Sequence, residues 1–244
     1  MQSKPLFQII GIGFEDGFSP LFDQTLKALK RKFPFKWLSK SHSFGNQKML
    51  PNAPIPIVFY PHLITDTPLY LFIGDDPTKH REAILELLPL THRIVFSSDN
   101  VKDTLALNTF LRQIPCAPTD LLDLFTRGWR HILSKVLSEK ENYDIFMASD
   151  QISIHTSFPP LGTFLKKWLE TMLKSMPIEI IHQPKNTHPA ITTFSCKGKG
   201  EAIKIASKNT YATVQITLKK RCELPYNLPL ETDLIYPFFT EECS

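Results

Sequence analysis

The sequence predicts an α/β protein in two lobes. An N-terminal lobe is built on a mainly parallel sheet flanked by helices, and a C-terminal α+β lobe carries an antiparallel sheet. Three observations predict this. Pro61 to Asn100 places an apolar run, Leu69 to Ile73, before Gly74-Asp75-Asp76-Pro77, an amphipathic helix and a second apolar run, Arg93 to Phe96. Two buried strands bracketing a helix form a βαβ unit, which requires a parallel sheet. Beyond Ile178 the apolar period drops to two, as in strands with one buried and one wet face. Between these regions, Pro115-Cys116-Ala117-Pro118 reads as a hinge, which divides the chain into residues 1–117 and 118–244.

Taken in order, Leu6 to Ile12 reads as a strand, and Ser19-Pro20 caps a helix that runs to about Phe33. Between them lies Gly11-x-Gly13-x-x-x-Gly17. Strand, glycine turn and helix make a dinucleotide-binding order, but the spacing is not G-x-G-x-x-G. Glu15 and Asp16 also stand where a pyrophosphate needs unopposed N–H groups. No acid occurs between Asp23 and Asp66, so the ribose-binding carboxylate expected about 20 residues on is missing. A plain strand, turn and helix is the simpler reading.

Seven bases fall between Lys27 and Lys48, among Phe33, Phe35, Trp37 and Phe44. A solvated helix face running into a strand, Phe35 to Ser39, explains them more simply than a nucleic-acid surface. Ser43 to Pro56 reads as a loop that leads to a short apolar run, Ile57 to Tyr60.

Asp75 and Asp76 lie at a strand's C-terminal end, where open α/β sheets place ligands. Two adjacent acids could hold a divalent metal there. A helix cap at Asp76 followed by Pro77 needs no metal, and His80 reads as a rim residue. Val101 to Ile114 follows as a helix.

In the second lobe, Thr119 caps a helix with a stripe of Leu121, Leu124, Phe125, Trp129, Ile132, Leu133 and Val136. On its opposite face Arg127 and Arg130 could hold a phosphate or an acidic partner, although solvated charge accounts for them. Glu139 to Tyr143 reads as a connector. A strand, Ile152 to His155, precedes a helix opened by Pro159-Pro160. Strands follow at Ile178 to Ile181, Ile191 to Cys196, Ala202 to Ala206 and Ala212 to Leu218, with Lys197-Gly198-Lys199-Gly200 as a hairpin turn. A last helix is expected over about Glu231 to Glu242.

Composition narrows the function classes. A 42% apolar fraction in 244 residues supports a real core, and a net charge of +4 falls short of a dedicated nucleic-acid binder. No apolar run approaches the roughly 20 residues of a membrane span. Cys116, Cys196, Cys222 and Cys243 have no zinc-ligand or disulfide-framework spacing, which points to a reducing compartment and a cytoplasmic protein. There is no nucleophile elbow, P-loop, H-E-x-x-H pair or EF-hand loop.

Four stretches taken together resemble a known family. Pro61-His-Leu63-Ile-Thr-Asp66-Thr-Pro68-Leu69, then Arg93-Ile94-Val95-Phe-Ser-Ser98, then Asp120-Leu121 with Trp129-Arg130, then Trp168-Leu169 are similar in order and type to motifs of the OpcA family, the glucose-6-phosphate dehydrogenase assembly proteins. Here Asp123 and Phe125 stand in place of that family's internal tryptophan and arginine, and Phe72-Ile73 in place of its tryptophan pair. The resemblance implies a non-catalytic accessory protein, without cofactor or metal, that binds glucose-6-phosphate dehydrogenase and promotes its active oligomer. Asp66, Arg127, Arg130, Lys197 and Lys199 are its candidate contacts, and Cys116 and Cys243 its candidate redox thiols. The rival reading is a sugar-phosphate or nucleotide-sugar enzyme that uses Asp75 and Asp76 at the strand end, with Arg127 or Arg130 on the phosphate.

Overall fold

In the computed structural model, β1 (Phe7–Ile12) is buried at all six positions. A strand written FQIIGI has no wet face, so it belongs in the middle of a sheet covered on both sides. It sits there. The first sheet has the order β2 (Phe35–Ser39), β1, β3 (Leu69–Ile73), β4 (Thr91–Phe96), β5 (Ala117–Asp120), and every pairing is parallel. The structure describes residues 5–43, 45–46, 49–50, 58–172, 177–184, 188–198, 201–208, 211–217 and 221–227.

Strand alternation sorts the buried side chains into two layers. Ile10, Ile12, Leu71, Ile73, Ile94 and Phe96 pack with Ile84 and Leu87 of α2 (Arg81–Leu87) and with Leu107 and Phe110 of α3 (Thr104–Leu111). The other face is aromatic and carries α1 (Pro20–Lys32). Phe7 stacks on Phe35 at 5.5 Å between ring centroids, and Phe22 of α1 lies 5.9 Å from Phe72. Gly11 belongs to this face. A Cβ there would stand 2.3 Å from the Trp37 ring, so the missing side chain is what lets the indole lie across β1.

Helix boundaries follow local chemistry. The Ser19 side chain accepts from Phe22 N–H, Pro20 opens α1, and Lys30, Arg31 and Lys32 occupy its last turn, where cations suit the carbonyl end. Asp76 caps a 3-10 turn, Pro77–His80, that leads into α2. Asp103 caps α3 by accepting from Leu105 and Ala106 N–H, both at 2.9 Å.

The chain divides into two units, Met1–Leu121 and Leu122–Ser244. The second begins with α4 (Leu121–Leu137) and α5 (Lys140–Met147), then β6 (Gln151–Thr156), α6 (Pro159–Met172) and β7 (Ile178–His182). β8 (Ile191–Gly198), β9 (Glu201–Lys208), β10 (Tyr211–Thr217) and β11 (Arg221–Asn227) complete a six-stranded sheet ordered β11-β10-β9-β8-β6-β7. Its pairings are antiparallel except β6 with β7, which is parallel because α6 crosses between them. The two-lobe α/β fold expected from the sequence is therefore present.

Three local expectations change. Pro115 to Pro118 does not form a hinge; it runs into β5, the edge strand, where Pro118 costs no ladder bond on its open side. Thr119 consequently lies in a strand rather than capping a helix. In the apolar run after the loop, Val58 and Phe59 are helical and Tyr60–His62 forms a 3-10 turn. Glu139 to Tyr143 is not a connector but the start of α5, held by Asn142 Nδ2 donating to Val136 O at 2.9 Å. The helix expected near Glu231 to Glu242, like Lys199, Cys222's side chain and Cys243, lies outside the described residues.

Candidate functional site

From β1 the chain passes through α1 to β2 on one side, then returns to β3 on the other side of β1. The strand order reverses there, and a crevice opens beyond the carboxyl ends of β1 and β3. Three strand ends build it.

The first is the glycine turn. Gly13 follows Ile12 with φ +73, a conformation that L side chains rarely adopt. Gly74 N–H donates to Ile12 O at 2.8 Å, which ties the ends of β1 and β3 together. The second is the turn after β2. Ser39 Oγ accepts from Ser41 and His42 N–H, both at 3.3 Å, and Trp37 Nε1 donates to His42 O at 2.9 Å. These bonds curl the backbone back on itself and bring Lys40 and Ser41 to the crevice. The third is the end of β3. Asp76 Oδ1 accepts from Thr78 N–H at 3.0 Å and Thr78 Oγ1 at 2.7 Å, while Asp75 faces Lys79 Nζ at 3.2 Å and His80 Nε2 at 2.6 Å.

Together with Phe59 these ends line a half-open cavity of about 260 Å³, formed by Gly11, Ile12, Gly13, Glu15, Lys40, Ser41, Phe59 and His80. Beside it, Asn100 Nδ2 donates to Gly74 O at 3.0 Å, which ties the loop after β4 to the end of β3. At that end of β4, Ser97 Oγ and Asp99 Oδ1 are buried without a hydrogen-bond partner. Buried polar atoms of this kind are costly unless a ligand or water meets them.

The residues singled out in the sequence are placed as follows. Asp75 and Asp76 do reach the strand end, but Asp76 Oδ1 is taken up by the cap and both Asp75 oxygens by Lys79 and His80. No group of three metal-capable side chains occurs among the described residues. Asp66 takes a left-handed turn with φ 61, pinned by Gln8. Arg130 lies 2.5 Å from Asp123 Oδ1 with its guanidinium over the Phe164 ring, and Arg127 lies 3.5 Å from the same carboxylate. Lys197 is exposed on β8. Cys116 is half-buried, and burial pushes its thiol up; the same holds for buried Cys196, so neither has the thiolate character of a redox sensor. The glycine turn was discounted for its spacing, for Glu15 and Asp16 in its loop and for the missing ribose-binding acid, and Lys40 for its place in a run of bases. The lack of any acid after β2 was the signal that could have found the site.

No protein-family model and no curated protein matches the sequence. Among solved structures, a 3-ketoreductase from Actinomadura kijaniata in complex with TDP-benzene and NADP superposes with a TM-score of 0.59 at 11% identity, covering 98% of this chain and 89% of that one. Biliverdin reductase from Synechocystis sp. PCC 6803, in complex with biliverdin and NADP+, gives 0.52 at 8% identity over 99% and 92%. An oxidoreductase from Sinorhizobium meliloti gives 0.52 at 8% identity over 91% and 78%. The shared property is the fold, over at least 91% of this chain and 78% to 92% of the others.

These neighbours overturn two expectations. A non-catalytic factor that assembles glucose-6-phosphate dehydrogenase, and a chain that is not an enzyme, were read from short colinear motifs; the complete backbone instead follows chains named as oxidoreductases. The rival enzyme reading agrees better with the fold. Among the described residues no helix is long and apolar enough to cross a membrane.

Proposed function

We propose that this chain is an oxidoreductase that binds a nicotinamide adenine dinucleotide, preferably the 2′-phosphorylated form, at the carboxyl ends of β1, β2 and β3. The observation that carries the reading is the pairing of the Gly13 turn with Lys40 and Ser41 around one cavity at the point where strand order reverses. The reading replaces the expectation that no cofactor is needed.

The residues present fit the group. The Gly11 to Gly13 stretch lines the cavity, so a phosphate there would meet main-chain groups, while Asp75 and His80 fill the space that a Gly13 side chain would take. The end of β2 distinguishes the two dinucleotides: a carboxylate there hydrogen-bonds a ribose 2′-hydroxyl, whereas a cation accommodates a 2′-phosphate. Here Lys40 and Ser41 occupy that place, with no acid from Gln24 to Thr65. The buried Ser97 Oγ and Asp99 Oδ1 offer polar atoms at the end of β4 for the distal half of an extended ligand.

Bound there, the dinucleotide supplies hydride to an organic substrate or accepts it in the reverse direction. This chain's residues hold and orient it. Lys40 neutralises phosphate charge, Ser41 adds a hydroxyl donor, and the Ile12 to Gly74 hydrogen bond fixes the ends of β1 and β3 together. Calorimetric titration of the purified chain with NADP+ and NAD+ tests the reading. Saturable binding with NADP+ the tighter ligand is expected, and absence of binding to either overturns it.

A further inference from the structure

We infer that Glu15 is the carboxylate that holds the ligand's adenosine ribose, by accepting a hydrogen bond from the 3′-hydroxyl beside the 2′-phosphate. The inference rests on the dinucleotide reading and deepens it. In sheets of this kind the ribose-binding acid ordinarily stands at the end of the second strand. Here Lys40 and Ser41 take that place, and Glu15, from the loop after β1, is the one acid among the described residues that line the same cavity.

Local structure holds the acid there. Phe14 is buried, and its ring meets Phe18 at 5.0 Å, Phe22 at 5.1 Å and Trp37 at 5.6 Å between centroids. Gly17 N–H donates to Phe14 O at 3.0 Å, which closes a turn with Glu15 and Asp16 at its corners. Phe18 meets Trp37 at 5.4 Å and His42 at 4.7 Å, both T-shaped. The loop that carries Glu15 is thus joined through aromatic rings to the turn that carries Lys40 and Ser41. Glu15 is exposed, and among the described residues no hydrogen bond or ion pair engages its carboxylate. Asp75 differs, since both its oxygens are taken by Lys79 and His80.

A carboxylate accepts hydrogen bonds and repels anions, whereas an ammonium donates them and attracts anions. A cavity that presents Glu15 and Lys40 together therefore suits a ligand with a hydroxyl and an anionic group on neighbouring atoms. A ribose phosphorylated at one of its two adjacent hydroxyls has that pattern. Lys40 and Ser41 receive the 2′-phosphate, and Glu15 receives the 3′-hydroxyl. The acid that counts against a pyrophosphate when the sequence is read alone thereby serves the sugar.

The test is a cycle on the full chain, in which calorimetry compares affinity for NADP+ with affinity for its 3′-deoxyribose analogue. Both ligands carry the same charge, so the comparison cancels repulsion between Glu15 and phosphate. Wild type is expected to bind the deoxy analogue about ten-fold more weakly, the scale of a hydrogen bond to a charged group. In Glu15→Ala the two ligands are expected to bind within about two-fold of each other, whereas Asp16→Ala, which removes the neighbouring charge of the same turn, keeps the wild-type ratio. Equal affinity of wild type for the two ligands overturns the inference without any variant. A Glu15→Ala chain that keeps the wild-type ratio overturns it too, as does loss of the ratio in Asp16→Ala. All three results leave the dinucleotide reading intact. Failure of wild type to bind NADP+ or NAD+ overturns the dinucleotide reading itself.

Discussion

Nε2 of His80 and Oδ1 of Asp75 meet at 2.6 Å directly against Gly13, whose missing side chain makes room for both. The end of β1 and the segment after β3 are thus fitted to each other at a single residue. A Cβ at Gly13 would stand 2.2 Å from Asp75 Oδ1, on a backbone with φ +73. Gly13→Ala is therefore expected to cost about 1–3 kcal/mol of stability and to abolish most NADP+ binding. Urea denaturation and calorimetry measure the two. A variant of wild-type stability and affinity would show that the turn has another, roomier conformation.

How far the sequence led depended on whether the decisive interaction was local. β1, β3, β4 and α1 were legible because continuous apolar runs and the Ser19-Pro20 cap are local signals. β5 was not, since Pro118 argues against a strand unless the strand is known to be an edge, which only the sheet order reveals. The cavity was hidden for a similar reason. Lys40 looks like one more base in a basic run until the bonds from Ser41, His42 and Trp37 fold the turn, and those depend on where β2 ends against β1. The glycine turn was discounted on spacing, a criterion that presumes the helix begins immediately, whereas here it begins at Pro20.

Gln8 is a buried amide that pins the approach to β3. Its Nε2 donates to Ile64 O at 2.9 Å and Thr67 O at 3.2 Å, and its Oε1 accepts from Ile64 N–H at 2.7 Å. These three bonds hold the turn in which Asp66 adopts φ 61. Gln8→Leu keeps the volume but leaves three backbone groups without their partner. It is expected to destabilise the chain by about 2–4 kcal/mol and to speed amide exchange at Ile64. Unchanged exchange would mean that the turn holds itself.

Alkaline pH is expected to weaken the fold through its buried thiols. Burial pushes the thiols of Cys116 and Cys196 up relative to the unfolded chain. A group whose value is raised on folding contributes stability that is full below its unfolded value, about 8.5 for cysteine, and that is lost as pH rises through the folded value. Urea midpoints should therefore fall between pH 8 and 10, and less steeply in Cys196→Ala after allowance for its cavity. Both thiols should also react slowly with iodoacetamide at neutral pH. Rapid modification of folded protein would contradict the burial.

Lys40 provides the sharpest functional test, because one charge reversal has opposite consequences for two ligands that differ by a single phosphate. A glutamate at that position would accept a hydrogen bond from a ribose 2′-hydroxyl and repel a 2′-phosphate. Lys40→Glu is expected to weaken NADP+ binding about ten- to a hundred-fold and to leave NAD+ binding equal or stronger. The wild-type preference should also shrink as potassium chloride is raised, since a cation–phosphate contact that solvent reaches is screened by salt whereas the rest of the dinucleotide is held largely by backbone and packing. Equal losses for both dinucleotides would assign Lys40 to the shared pyrophosphate instead, and no loss for either would remove it from the site.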